Sequence, residues 1–193
     1  MITTEAYWDT ATLGVPTYEI LLEKDDSLAA VLDEIKKLLL ASRIYCVLKI
    51  PCKIYEVQEE LTRLGFLFNE CQLCMQTSRR EFANIQNSLG KYFTPRKYRL
   101  IDSSNAQNLL KELDTGIFTT DRIALNPHFG LEKANLRYKK WIQNCLDKPE
   151  YRITESLLGG IPVGFGMDRL DKPLVTGLLG ANYKGYEGKL SYI

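Results

Sequence analysis

Hydrophobic and polar positions repeat at two spacings along the chain, and these spacings predict helices and strands. Apolar side chains from Leu28 to Leu39 recur at helical intervals, which predicts a helix that begins at Asp25 or Asp26 and ends near Ser42. The order strand, helix, strand, helix, strand then predicts a small α/β unit whose sheet is at least partly parallel. Its other elements are strands at 18–22, 44–50 and 66–76 and a helix at 54–64, closed by Gly65.

The second half predicts another unit, after a polar stretch over 78–97 that we interpret as a linker with one short helix at most. Gly159-Gly160 predicts a hairpin turn between two strands of this unit. We therefore predict a small α/β N-terminal domain over 1–95 and a second domain over 96–193. The elements of the second domain are strands at 98–101, 151–158, 161–168 and 174–179, a helix from Asp102, Ser103 or Ser104 to Leu113, and a helix at 131–146.

Composition places the chain among globular proteins. It has 193 residues, of which 45% are hydrophobic and 25% charged, and its formal net charge is +1. This balance provides no strong field for nucleic acid or an anionic membrane, so we expect neither as a partner. The sequence has no apolar run of transmembrane length and no signal-peptide pattern at its start, so we expect a cytoplasmic location.

Five cysteines bear on redox and metal chemistry. An odd number in a chain of this size argues against a disulfide framework. Cys71 and Cys74 form a C-x-x-C pair, but the run around them is strand-like, which would direct the two side chains to opposite faces. We expect reduced, largely buried thiols and no metal. A metal or redox protein that uses this pair is a third and weaker alternative to the functions described below.

The end of the chain, Pro173–Ile193, carries the pattern that bears most on function. A short apolar strand is followed there by a turn rich in glycine and lysine. Glycine lets the backbone approach a ligand closely, and unpaired backbone N–H groups form anion sites. The turn is either such a site or an ordinary glycine-rich turn, and Lys184 and Lys189 are either phosphate ligands or solvated side chains.

The order of elements in the second half, and several of its residues, resemble a known enzyme family. The predicted order is one strand, two helices, an antiparallel hairpin, a further strand and a glycine-containing turn. This order resembles the one with which a GNAT N-acetyltransferase begins. The N-terminal YWDTATLG and the phrase LGFLFNE, Leu64–Glu70, are similar to the extra domain of the dTDP-fucosamine acetyltransferase-like subfamily. The other residues that carry this resemblance are Asp121, Arg122, Asn126, Pro127, Arg137, Tyr138 and Trp141 around the two helices, and Val163, Gly164 and Phe165 in the hairpin.

The resemblance implies a GNAT-like acyl-CoA N-acyltransferase fold of the α/β (α+β) class. It also implies transfer of acetyl from acetyl-CoA to a small-molecule amine such as that of an amino-sugar nucleotide. Acetyl-CoA would lie along Leu178, Leu179 and Gly180, and a backbone N–H near Leu179 would polarise the thioester carbonyl. Glu155 lies where some acetyltransferases keep a water-relaying carboxylate. The residues implied at the pyrophosphate are Tyr183, Lys184, Gly185 and Gly188.

The sequence departs from the family pattern at its end. Gly188 comes one position late for the turn motif, and Glu187 puts a negative charge beside the proposed phosphate site. The family fold continues beyond this point, whereas the sequence stops at Ile193, so we expect a C-terminally truncated domain without the family's general-acid tyrosine. The alternative is a non-catalytic remnant of such an enzyme, or a subunit of an assembly, such as a homo-oligomer, in which another chain completes its sheet.

Other residues have two interpretations each. His128 is either a general base or a surface loop residue. Tyr138 and Trp141 either line an acceptor pocket or belong to the buried face of their helix. Asp121 and Arg122 either contact a sugar nucleotide or form a local ion pair.

Overall fold

The computed structural model describes residues 1–52, 55–73, 77–89 and 96–187. The chain divides into two compact units, Met1–Glu70 and Cys71–Ile193. Both units contain helices and a β-sheet, which confirms the predicted mixed α/β class. The division comes before the polar stretch at 78–97, whereas the sequence analysis put it at 95/96, so that stretch belongs to the second unit.

The first unit is built on a three-stranded sheet of order β1-β2-β3. In it β1 and β2 are antiparallel and β2 and β3 are parallel, which confirms the predicted partly parallel sheet. Its elements are β1 (Ile2–Glu5), α1 (Tyr7–Leu13), β2 (Thr17–Leu21), α2 (Leu28–Ala41), β3 (Tyr45–Lys49) and α3 (Tyr55–Arg63).

The helix α2 follows the apolar pattern of the sequence but begins with a different cap. Ser27 is its N-cap, and its Oγ accepts a hydrogen bond from the N–H of Ala30 over 3.3 Å. Asp26, one of the two predicted caps, instead accepts hydrogen bonds from the N-terminal ammonium and from the N–H of Glu23. The buried residues of this unit's core are Ile20, Leu22, Val31, Ile35, Val57 and Leu61.

The prediction of a strand over 66–76 is wrong for the residues that the structure describes. Residues 66–73 contain no strand, and 74–76 lie outside the described residues. Leu67, Phe68 and Leu73 are exposed. A strand is stabilised by cross-strand pairs, and the described part of this run forms none. Phe66 packs against the core of the first unit, but the residues after it are mostly exposed. The third strand of the sheet is instead β1, which has only four residues.

The second unit is built on a four-stranded sheet of order β4-β5-β6-β7, in which every neighbouring pair is antiparallel. The strands are those that the sequence pattern predicts, and β6 and β7 each end three residues later than predicted. Both predicted helices are present, but the first begins only at Gln107 with Ala106 as its N-cap, so the predicted caps Asp102, Ser103 and Ser104 are wrong. Asp102 instead accepts a hydrogen bond from the N–H of Ser104 in the turn before the helix. The elements are α4 (Arg79–Leu89), β4 (Lys97–Ile101), α5 (Gln107–Asp114), α6 (Gly130–Cys145), β5 (Tyr151–Leu158), β6 (Ile161–Asp171) and β7 (Leu174–Asn182).

The helix α4 lies in the stretch that the sequence analysis interpreted as a linker. The N–H of Ser78 donates to Oε2 of Glu81 over 2.8 Å, and the N–H of Glu81 donates to Oγ of Ser78 over 3.2 Å. This reciprocal pair is a capping box, which the S-x-x-E spacing encodes. The helix has 11 residues, so it is longer than the short helix expected there.

One face of the second sheet packs against α5 and α6. Because side chains alternate along a strand, the residues between the buried ones lie on the opposite face. The buried residues of this core are Ile101, Ala106, Leu109, Leu113, Ile142, Cys145, Ile153, Phe165, Met167, Ala181 and Tyr183.

The hairpin between β5 and β6 has the predicted glycine turn. Gly159 and Gly160 have φ angles of 58° and 87°. A two-residue type I′ turn requires positive φ at both positions, so the Gly-Gly pair suits this connection. The next connection, between β6 and β7, is the pair Lys172-Pro173.

Candidate functional site

The strand predicted to bind acetyl-CoA, β7, is an edge strand of the described sheet and pairs only with β6. Met167 of β6 pairs with Leu179 of β7. The next residue of β6, Asp168, pairs with Gly177, so Leu178 is an extra residue on the edge strand. Such a bulge takes the extra residue out of the hydrogen-bond ladder and changes the direction of the neighbouring backbone. The irregularity therefore falls on the segment where the acyl group was predicted.

The strand β7 continues directly into a tight turn. The N–H of Tyr186 donates to the carbonyl oxygen of Tyr183 over 3.0 Å, so Lys184 and Gly185 occupy the central positions. Gly185 has a φ of 87°, which the third position of a type II turn requires. Lys184 and Gly185 are both exposed, so the tip of the turn faces solvent. Gly188, the last residue predicted for this site, lies outside the described residues.

The carboxylate of Glu187 folds back onto this turn. Its Oε2 accepts a hydrogen bond from the N–H of Gly185 over 2.9 Å. The backbone N–H of Glu187 itself, then that of Gly185, and the nearby ammonium of Lys184 hold the pKa of this carboxyl below its usual range. The turn therefore binds a carboxylate with its backbone amides, and that carboxylate belongs to the same chain.

Tyr183 connects the turn to the core of the sheet. Its residue surface is 2% exposed, and its ring lies nearly parallel to that of Phe165, with centroids 6.4 Å apart. Its hydroxyl donates a hydrogen bond of 2.6 Å to Oε1 of Glu155, and its backbone N–H donates to the carbonyl oxygen of Val163. Burial, and next the Glu155 hydrogen bond, raise the pKa of Tyr183. The side chain is an anchor, and only the backbone of Tyr183 borders the turn.

Glu155 of β5 has no exposed surface. Its carboxylate accepts hydrogen bonds from three side chains, those of Tyr183, Asn108 and Arg99. Nδ2 of Asn108 donates to Oε1 over 3.0 Å, and the guanidinium of Arg99 forms an ion pair with Oε2. The Arg99 side chain is 44% exposed, so the pair reaches from the core to the surface. Both carboxylate oxygens are engaged, which suits an internal cross-link. The predicted water-relaying role would require an oxygen of Glu155 that water can reach.

The sheet face opposite the two helices carries an open groove of about 770 Å³. Glycines on β6 and β7 leave its floor without side chains, and the predicted acetyl-CoA segment forms part of its lining. A groove of this size falls within the range of small-molecule sites in proteins. The lining residues are Tyr98, Leu100, Arg152, Thr154, Ser156, Gly166, Asp168, Gly177, Leu178, Leu179 and Gly180.

An ion pair between neighbouring strands lies in this groove. Nε and Nη2 of Arg152 donate to Oδ2 of Asp168 over 3.2 and 2.7 Å. The two side chains are 46% and 27% exposed, so each can also reach a ligand. The sequence analysis missed both residues, although the alternation of each strand shows that they lie on the face away from the core.

The loop before α6 uses two of the other predicted residues to shape its backbone. Oδ1 of Asp121 accepts hydrogen bonds from the N–H groups of Ile123 and Ala124, over 2.8 and 2.6 Å. His128 is exposed, and its backbone N–H donates to Oδ1 of Asn126. These contacts are typical of side chains that stabilise turns.

Tyr138 and Trp141 belong to an aromatic layer on α6. The ring centroids of Phe118 and Tyr138 are 4.0 Å apart, and those of Tyr138 and Trp141 are 6.3 Å apart. The guanidinium of Arg137 lies 5.1 Å from the Tyr138 ring and 5.9 Å from the Trp141 ring. Burial, and next the charge of Asp121, raise the pKa of Tyr138. Neither residue lines the groove on the opposite face of the sheet.

The cysteines of the described residues are free thiols. Cys145 is buried and Cys46 half-buried, whereas Cys52 and Cys71 are exposed, so the expectation of largely buried thiols is wrong for the last two. Burial raises the pKa of Cys46 to about 11. Cys74 lies outside the described residues. Within the described ranges, no cluster of metal-ligating side chains occurs.

No helix in the part of the chain that the structure describes has the length and apolar character needed to cross a bilayer. A comparison of the chain with known protein families and with curated proteins finds no match. The second unit brings together a bulged edge strand, a turn whose backbone amides bind a carboxylate, and a groove.

Proposed function

We propose that the second unit is a GNAT-type acetyltransferase domain that transfers acetyl from acetyl-CoA to a small-molecule amine, such as that of an amino-sugar nucleotide. The observation that carries the proposal is one continuous arrangement on the edge strand β7. The strand bulges at Leu178 and then enters the turn whose amides hold a carboxylate.

The edge of β7 suits an extended ligand that carries amide groups. The pantetheine arm of acetyl-CoA is such a ligand, and an open strand edge offers it backbone N–H and carbonyl groups, as it does an added β-strand. The bulge at Leu178 interrupts the regular ladder at the place where a thioester would lie. A backbone N–H near Leu179 would then polarise the thioester carbonyl.

The turn suits the pyrophosphate of the same ligand. Converging backbone N–H groups form sites for anions, and the amide of Gly185 already binds a carboxylate oxygen. The exposed ammonium of Lys184 adds a positive charge at the tip of the turn. The buried side chain of Tyr183 supports the turn from below, through its hydrogen bond to Glu155.

In the proposed reaction the amine nitrogen attacks the thioester carbonyl carbon, the carbon–sulfur bond breaks, and the thiolate takes up the proton that the amine loses. The chain's part is to hold the two reactants together and to stabilise the developing negative charge on the carbonyl oxygen. The groove beside Leu178 would admit the acceptor in its neutral amine form, and the carboxylate of Asp168 would accept a hydrogen bond from that amine. We assign no general base among the described residues.

Calorimetric titration of the whole chain with acetyl-CoA tests the proposal. We expect saturable binding, and we expect Lys184→Ala to weaken it by about tenfold, because the variant lacks a charge-assisted contact to phosphate. Lys140→Ala, at an exposed position of α6, is the matched control and should bind as the wild type does. No binding of acetyl-CoA at millimolar concentration would contradict the proposal.

A second candidate function is assembly through the same strand edge. The nine residues of β7 include no charged side chain, and Leu174 and Val175 are 59% and 58% exposed. Natural edge strands usually carry charges that prevent pairing with another chain. If β7 pairs with a second copy, sedimentation will show a homo-oligomer and Val175→Lys will convert it to monomer. A monomeric wild type at high concentration would contradict this alternative.

A further inference from the structure

The turn after β7 holds its own anion, and this contact has a consequence for the proposed cofactor site. Oε2 of Glu187 lies 2.9 Å from the amide nitrogen of Gly185. Glu187 and Gly185 are both exposed, so the contact forms at the surface, where a ligand would approach. The charge of Lys184 lies beside the same carboxylate and stabilises it there.

A carboxylate and a phosphate compete for the same kind of backbone site. Each offers negatively charged oxygens to N–H donors, and a donor that is engaged by one oxygen is lost to the other. Because Glu187 is two residues from Gly185 in the chain, its carboxylate is present at high effective concentration. A ligand in solution must therefore displace this carboxylate before it can use the amides.

Resting on the proposed function, we propose that Glu187 is the residue that determines the affinity of the turn for anions, as a tethered competitor of the pyrophosphate group. Competition of this kind lowers the affinity of every anion that needs the amides by the same factor. A free anion such as inorganic pyrophosphate has no contacts beyond the turn and is driven off it. Acetyl-CoA has the edge of β7 as well and stays bound, so Glu187 restricts the site to ligands that also occupy the strand.

Calorimetric titration of the whole chain with two probes, inorganic pyrophosphate and acetyl-CoA, tests this inference. We expect Glu187→Ala to bind both probes about ten- to hundredfold more tightly than the wild type, which is the range that a hydrogen bond to a charged group supports. Glu187→Gln keeps an oxygen acceptor without its charge, so its affinity for each probe should lie between those of the wild type and Glu187→Ala. Glu56→Ala, at an exposed position of α3, makes the same charge change elsewhere and should bind as the wild type does.

The outcomes separate this inference from the proposed function. Acetyl-CoA binding of equal strength in the wild type and Glu187→Ala would overturn the role of Glu187 and leave the cofactor site standing. Tighter binding of pyrophosphate alone, with no binding of acetyl-CoA, would support the role of Glu187 and overturn the cofactor site. No binding of either probe by any variant would overturn both. Since Glu187 is exposed, the variant should fold, which the circular dichroism spectrum checks.

Discussion

The hydroxyl of Tyr183 donates a 2.6 Å hydrogen bond to Oε1 of Glu155 in the buried core of the second unit. Tyr183 begins the turn after β7, and Glu155 lies on β5, two strands away in the sheet. The contact therefore ties the candidate anion site to the centre of the sheet. Because Glu155 also binds Arg99 and Asn108, which are both exposed, four side chains share one polar network that extends from the core to the surface.

We expect Tyr183→Phe to lower the free energy of unfolding by about 1–3 kcal/mol, the cost of leaving a buried hydrogen-bonding group with one partner fewer. The ring of phenylalanine keeps the packing on Phe165, so the change isolates the hydroxyl. Urea denaturation measures the effect. Tyr55→Phe, at a position that is 74% exposed, should change stability by less than about 0.5 kcal/mol. Equal effects of the two substitutions would contradict a role for the hydrogen bond.

The raised pKa of Tyr183 predicts a loss of stability at alkaline pH. The folded state favours the protonated phenol, so its contribution is complete below the ordinary tyrosine pKa of about 10 and is lost as pH rises above it. In that range the wild type should lose up to about 1.4 kcal/mol per pH unit more than Tyr183→Phe, in which residue 183 no longer titrates. Urea denaturation of both proteins between about pH 9 and 11 measures the difference. Parallel pH profiles would show that Tyr183 titrates normally.

Substitutions of the two partners of the Arg99–Glu155 ion pair should lower the free energy of unfolding by different amounts. Arg99→Leu leaves the carboxylate of Glu155, which is 0% exposed, without a cation, and we expect a cost of about 3–5 kcal/mol. Glu155→Gln leaves only Arg99 unpaired, and its guanidinium is 44% exposed and can turn to water, so its cost should be smaller. Chemical denaturation of the two variants gives the order. A larger cost for Glu155→Gln would contradict the described burial of the pair.

The groove predicts a substitution that blocks ligand binding without unfolding the sheet. A Cβ at Gly166 would lie 3.8 Å from Oγ1 of Thr154, an ordinary contact, so Gly166→Leu should be accepted and should fill the groove floor. We expect it to reduce acetyl-CoA affinity by at least about tenfold, because Gly166 pairs directly with Gly180, where the acetyl end of the ligand would lie. Thr119→Leu, at an exposed position outside β7 and the groove, should leave affinity unchanged. Unchanged binding by Gly166→Leu would place the ligand elsewhere.

Much of the second unit could be predicted from the sequence because its signals are local. The Gly159-Gly160 pair encodes the hairpin turn, and the strands on either side follow from their apolar runs. The same reasoning was wrong for 66–73, where an apolar run has no strand partner among the described residues. Pairing partners depend on contacts distant in sequence, and a local pattern does not contain them.

The candidate site was predictable in position but less so in its chemistry. Glycine and lysine at the turn indicated an anion site, and the sequence also showed that a negative charge stood beside it. That Glu187 itself occupies the amide of Gly185 depends on the fold of the turn, which spacing alone does not determine. Arg99 and Asn108 gave no sequence signal, since they meet Glu155 only once β4 and α5 pack against β5.

The acetyl-CoA site is tested most directly by titrating the isotope-labelled whole chain with acetyl-CoA and following the backbone amide signals of each residue in NMR spectra. We expect the largest shifts at Leu178–Gly180 and at Lys184–Glu187, and we expect the signals of β1, β2 and β3 not to move. Shifts that are absent, or that are confined to residues away from β7 and its turn, would contradict the proposed acetyl-CoA site.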